Sequence, residues 1–157
     1  LDTRPAWHGL ALLADRQTHG RGQHERVWEA PVGLGVLMSV LLDPPTACRR
    51  PAILTSWMAV SVARVVEEII GGPDAIKWPN DVLIGMKKVS GVLIEGEGGS
   101  VAVGIGIHCA HHPRDTVFPA TDLSTENVSV TVEGVFEELS GANPPRQRIH
   151  RTWQSDR

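Results

Sequence analysis

Lys77-Trp78-Pro79-Asn80-Asp81 puts a cation, two polar groups and a rigid backbone into five consecutive residues. An apolar lead-in, Ala75-Ile76, precedes it and Val82-Leu83-Ile84-Gly85 follows, so it interrupts what otherwise reads as strand. Proline has no N–H for a sheet ladder and belongs at an edge or a bulge. A lysine beside an indole, a proline and an Asn-Asp pair is costly to bury for packing alone, and such a lysine usually meets an anion. A surface turn with a snorkelling lysine is the alternative that these five residues leave open.

A polar loop lies upstream. Leu10 to Ala14 reads as a short apolar strand, and Thr18-His19-Gly20-Arg21-Gly22-Gln23-His24-Glu25-Arg26-Val27-Trp28 follows it. Two glycines around an arginine permit close backbone approach and the geometry of an anion-binding nest. Arg21 adds a fork-shaped donor suited to carboxylate or phosphate. No Gly-Lys-Ser/Thr follows, so this is not a Walker loop, and the dinucleotide-binding glycine pattern is absent.

Downstream, Lys87-Lys88-Val89-Ser90-Gly91-Val92-Leu93-Ile94-Glu95 and Val101-Ala102-Val103-Gly104-Ile105-Gly106-Ile107-His108 are apolar, β-branched runs. Gly96-Glu97-Gly98-Gly99-Ser100 joins them as a hairpin signal. Glycines at 91, 104 and 106 leave gaps on the sheet, made either for a bulge or for a ligand lying against the backbone.

In this order the segments resemble the catalytic core of the biotin–protein ligases, which share a fold with lipoate ligases. The resemblance runs from about Gly9 to Leu123. It is carried by Gln17 with Gly20-Arg21-Gly22 and Trp28, by Lys77 to Asp81, by Lys88 to Glu95, by Gly104-Ile105-Gly106-Ile107, and by Pro119-Ala120-Thr121-Asp122-Leu123.

The resemblance implies a two-step acyl transfer. The carboxylate of biotin attacks the α-phosphate of ATP, and a lysine of a biotin carboxyl carrier protein domain then attacks the biotinyl-adenylate. Such an enzyme must neutralise two repelling anions, hold them near in line and keep water from the anhydride. Lys77 is the expected cation between carboxylate and α-phosphate, with Arg21 as second catalytic residue folding over the anions. Gln17, Gly20, Arg21, Gly22 and Gln23 are expected around biotin, Trp28 on the adenylate side, and Lys88 near phosphate. Asn80 and Asp81 are expected to orient Lys77 or to hold Mg²⁺, and Gly91, Gly104 and Gly106 to floor the site. No resident metal site is expected. A non-catalytic biotin- or carrier-binding domain, and a lipoate or octanoate ligase, are the alternatives.

Three departures from the family pattern stand out. Glu25 occupies a place where glycine is common, and His108 stands where asparagine commonly ends the Gly-x-Gly-Ile motif. No counterpart of the family's Ser/Thr-Thr-Asn segment precedes Gly9. The expectation is one domain over 1–157 that lacks that segment by truncation or loss, with no DNA-binding domain before it and no C-terminal β domain after it.

Composition agrees with this reading. At 157 residues, with net charge −3 and 21% charged residues, the chain has an ordinary globular make-up and no basic block for nucleic acid. No apolar stretch approaches the ~20 residues that span a bilayer. Cys48 and Cys109 lack metal-ligand spacing and are expected as free thiols in the cytoplasm. His108, His111 and His112 around Cys109 are too close in sequence for tetrahedral chelation. A homodimer is left open.

The periodicity predicts strands over 35–42, 75–84, 89–95 and 101–108. It predicts a long helix from Thr46 to Ile70, stopped by Gly71-Gly72-Pro73, with Ile53, Trp57, Val60, Val65, Val66, Ile69 and Ile70 on its apolar face and Trp57 and Met58 in the core. Short helices are expected over Thr131–Leu139 and Arg146–Gln154. The class is α+β: a mixed, mostly antiparallel sheet with helices on one face, as in class II synthetase-like biotin/lipoate ligases.

Overall fold

A computed structural model describes residues 5–97, 99–126 and 128–141. The expected helix over Arg146–Gln154 lies outside the described residues. Six strands form one sheet: β1 (Leu10–Leu13), β2 (Gly35–Leu42), β3 (Ala75–Lys77), β4 (Asp81–Ile84), β5 (Lys87–Glu97) and β6 (Ser100–His108). Their spatial order is β1-β2-β6-β5-β4-β3, and every neighbouring pair is antiparallel. A single bridge between Lys88 and Ala120 is parallel. The α+β expectation therefore holds, with an antiparallel sheet. The run over 75–84 is two strands, and the Trp78–Pro79 peptide in the turn between them is cis.

Alternation assigns the two faces. Val82, Ile107, Val36, Val92, Ile105, Met38, Val103 and Ala11 belong to the buried core, together with residues of α1 (Pro51–Ile70) and α2 (Val132–Ser140). Both helices thus cover one face. The residues between those positions point the other way. Asp81, Gly91, Gly106 and Leu37 form one row across the strands, and Leu93, Gly104, Ser39 and Leu12 form the next.

One irregularity changes which side chains reach that second face. Val82 pairs with Ser90 while Leu83 pairs with Lys88, so Val89 is an extra residue in β5. Val89 and Ser90 are both fully buried, and the bulge brings Lys88 onto the side occupied by Gly91.

Helix α1 starts at Pro51, the first-turn position that proline favours, and residues 46–48 form a separate 3₁₀ turn. It ends at Gly71, whose φ of 63° is left-handed and whose N–H reaches the Glu67 carbonyl at 2.9 Å. The buried face is Leu54, Thr55, Ala59, Val62, Ala63 and Val66. This corrects the first half of the expected face, since Trp57 is 58% exposed and Ile53 46%, while Val66 is buried and Ile69 and Ile70 pack against the core as expected. Apolar residues surround this helix, so periodicity fixes its orientation poorly, and small residues win the closest approach to the sheet. Met58 does pack against the core. α2 begins at Thr131, whose hydroxyl accepts from the Gly134 N–H at 3.0 Å, and stops at Gly141. No helix among the described residues is long and apolar enough to cross a membrane.

Candidate functional site

The uncovered face of the sheet carries a shelf of glycines. A Cβ at Gly106 would collide with the Trp28 indole, and one at Gly91 would lie 3.1 Å from Trp28 Cζ3 and 3.2 Å from Lys88 Nζ. The indole therefore packs against backbone that only glycine exposes. The buried His108, two residues along β6 from Gly106, stacks on the indole with 4.5 Å between ring centroids and 8° between planes. Lys88 Nζ stands 5.5 Å from the indole centroid.

Lys88 is the central cation of this shelf. Its ammonium pairs with Asp81 Oδ1 at 2.7 Å, and both side chains are largely buried. Asn80 Nδ2 donates to the same oxygen at 2.9 Å and to the Val92 carbonyl at 3.3 Å. Asp81 thus pairs with Lys88, where the sequence suggested support for Lys77. Lys77 sits opposite Asp81 on the edge strand β3, is exposed, and lays its ammonium 3.7 Å from the Phe118 ring centroid. It occupies the rim.

His108 is 2% exposed, its Nδ1 has no partner, and its imidazole is held neutral, pushed down to about 4. Burial is the largest cause, the positive charge of Lys88 the next, and His112 and His111 add to it against Asp122. Trp28 Nε1 is likewise buried without a partner.

The loop over residues 20–28 folds as a small hairpin beside the shelf. Trp28 N–H donates to Gly20 O at 3.0 Å, Gly22 N–H to Arg26 O at 2.6 Å, and Arg21 bridges Val27. A Cβ at Gly20 would run into the Trp28 carbonyl, and Gln17 lies on the same side. Gln23 opens a 3₁₀ turn in which His24 (φ 55°) and Glu25 (φ 61°) are both left-handed. Arg21 pairs with Glu95 at 2.9 Å, an exposed ion pair of small net strength. Gly104, opposite Leu93, continues the shelf away from Lys88.

A part of the site that the sequence did not reveal is the segment after β6. Lys88 N–H donates to Pro119 O at 2.8 Å and Thr121 N–H to Lys88 O at 2.9 Å, so residues 119–121 grip the Lys88 backbone on both sides. Asp122, 4% exposed, accepts from the Thr125 N–H at 2.7 Å and pairs with His112 Nδ1 at 2.6 Å. Burial pushes its carboxyl up, but the hydrogen bonds from His112 and Thr125 outweigh this and hold it below the ordinary value. Thr121 and Lys87 both bind Glu126 Oε1, at 2.7 and 3.1 Å, and hold its carboxyl low. Such pairings cross long loops, and only the Pro119–Leu123 run hinted at them. Cys109 is buried, which pushes its thiol up to about 11, and Cys48 is exposed; both are free. Among the described residues no group of three His, Cys, Asp or Glu could hold a metal ion.

Comparison with known proteins gives these features a context. The model of the biotin/lipoate A/B protein ligase family matches residues 4–111. The bifunctional ligase/repressor BirA of Bacillus subtilis is 40% identical over 122 residues, which cover 74% of this chain and 38% of that protein. The biotin–[acetyl-CoA-carboxylase] ligase of Mycobacterium tuberculosis is 34% identical over 147 residues, 90% of this chain and 50% of that one. Among solved structures, the biotin protein ligase from Aquifex aeolicus in complex with biotin and ATP superposes with a TM-score of 0.75 at 36% identity, over 87% of this chain and 60% of that chain. This chain thus spans between 38% and 60% of the length of these relatives. It belongs to the biotin/lipoate A/B protein ligase family.

Proposed function

We propose that this chain carries the site of a biotin–protein ligase: it activates biotin with ATP to biotinyl-adenylate and transfers the biotinyl group to a lysine of a biotin carboxyl carrier protein domain. The observation that carries this reading is the Lys88 ammonium, 2.7 Å from Asp81 and set against the glycine shelf under Trp28. Support also comes from the 36% identical Aquifex aeolicus ligase, whose structure holds biotin and ATP.

In this reading a carboxylate oxygen of biotin attacks the α-phosphorus and pyrophosphate leaves. The carrier's amine then attacks the carbonyl carbon and AMP leaves. Lys88 stands between the two anions and offsets charge that develops as they approach. Asp81 and Asn80 hold its ammonium in place beforehand, so little reorganisation accompanies the step. Arg21 can exchange its exposed partner Glu95 for a ligand anion at small cost. Gln17 and Gly20 to Gln23 line the biotin side, Trp28 shields the anhydride from water, and Lys77 meets the outer phosphates. Mg²⁺ suits this site as an ion carried in by the nucleotide, because it keeps few protein ligands and Asp81 Oδ1 already serves Lys88 and Asn80. A cytoplasmic setting fits the two free thiols.

Biotin-dependent ATP–pyrophosphate exchange tests this. Lys88→Ala is expected to lower exchange at least about a hundredfold, the scale of removing one preorganised charge. Lys77→Ala should cost less than about tenfold, as expected for a rim charge in contact with water. A variant lacking Lys88 that keeps most of the exchange would move the central role back to Lys77. No exchange in the unaltered chain would favour a binding domain, and exchange with lipoate alone a lipoate ligase.

A further inference from the structure

We propose that Asp122, held by His112, is a positioning residue that sets Lys88 through the backbone of residues 119–121. The inference rests on the reading of Lys88 given above, and extends it to residues that touch neither ligand.

Lys88 stands at a bulge, where the regular ladder to β4 is broken at Val89. Bulged backbone loses part of the pairing that fixes a strand, so its side chains need another constraint. Residues 119–121 supply one, with Lys88 N–H to Pro119 O at 2.8 Å and Thr121 N–H to Lys88 O at 2.9 Å. Among the described residues that segment has no partner strand beyond it, and a lone bridge of two hydrogen bonds is weak. Its shape comes from its own side chains. Asp122 takes the Thr125 N–H on one oxygen and His112 on the other, closing residues 112–125 into a fixed turn. The next residue, Leu123, donates its N–H to His108 O at 3.1 Å and ties the same turn to β6.

Asp122 is therefore one residue from the grip on Lys88 and is itself buried, charged and satisfied on both oxygens. A buried carboxylate costs stability unless its partners are all in place, so loss of His112 should loosen the whole turn. The charged and titratable groups that interact with this pair are His108 and Cys109 at the end of β6 and Glu126 from the loop. His112 is partly exposed, which makes it the safer residue to change.

The test is trace labelling of the full chain with acetic anhydride, reading the Lys88-to-Lys77 ratio by mass spectrometry beside pyrophosphate exchange. In His112→Ala and Asp122→Asn, Lys88 labelling should rise roughly tenfold relative to Lys77 as the grip opens locally. The exchange kcat should fall about tenfold or more while KM for biotin changes less than about twofold, the signature of lost orientation. His112→Gln, whose amide can donate to Asp122, should restore both. A merely structural role would lower the melting temperature and leave the labelling ratio unchanged, and that result overturns the proposal. So does a glutamine variant that behaves like the alanine one. Absence of exchange in the unaltered chain would count against the ligase reading alone, because the labelling ratio still reports on Lys88.

Discussion

The Trp28 indole and the His108 imidazole lie face to face, 4.5 Å and 8° apart, in a stack whose imidazole is almost wholly buried. Protonating that imidazole would put a charge into an apolar slot beside Lys88. Its folded-state pKa, about 4, lies below the ordinary 6.5, so the unfolded chain takes up the proton first. The stability from keeping His108 neutral is present above about pH 6.5 and is lost as pH falls towards 4. The loss should amount to about 3 kcal/mol. Urea unfolding between pH 7 and pH 4.5 checks this, and His108→Phe should flatten the dependence. An unchanged slope in that variant would assign the acid sensitivity to other groups.

Gly106→Ala should expel the indole. The new methyl would occupy the space of the Trp28 ring, while the helix-covered face is untouched. Trypsin should then cut after Arg21 or Arg26 roughly tenfold faster, because the 20–28 hairpin loses its anchor. Biotin with ATP, expected to slow that cleavage in the unaltered chain, should no longer do so. Equal cleavage rates in the two proteins would mean that the indole does not hold the hairpin.

Glu25→Gly should stabilise the protein by about 0.5–1 kcal/mol, since a side chain at φ 61° is strained and glycine is not. Glu25→Ala is the control: it removes the carboxylate but keeps the Cβ, so it should give little. Denaturant midpoints separate the two. Equal gains from both would point to charge instead of backbone strain.

Glu25 also shows what the sequence could reveal. The pattern marked its place as one for glycine, and the left-handed backbone there is the physical reason. The strands were legible because β-branched residues alternate with glycines on β6 and are cut by clear turn signals. The cap at Thr131 and the stop at Gly141 framed α2 in the same way. Three things were not legible. The face of α1 was hidden because apolar residues surround it and Ala59 and Ala63 carry little hydrophobic signal. The contact of Lys88 with Asp81 was hidden because Lys77 sits beside Asp81 in the more unusual sequence, while Lys88 reaches the carboxylate only by way of a bulge. The His112–Asp122 pair was hidden because it spans a loop without periodicity.

The extra residue at Val89 makes the chemistry of β5 a matter of counting. Side chains alternate along a strand, so an unbulged β5 that kept Val89 in the ladder would carry Lys88 to the side opposite Gly91, under α1 and with no carboxylate to meet it. The bulge cancels that odd residue. Removing Val89 would leave Lys88 opposite Leu83 on its present side and cost only a buried core side chain, whereas forcing the strand straight around Val89 would take the ammonium away from Asp81. What the site needs from this stretch is therefore a parity, met either by two residues between Lys88 and Gly91 with the bulge or by one without it.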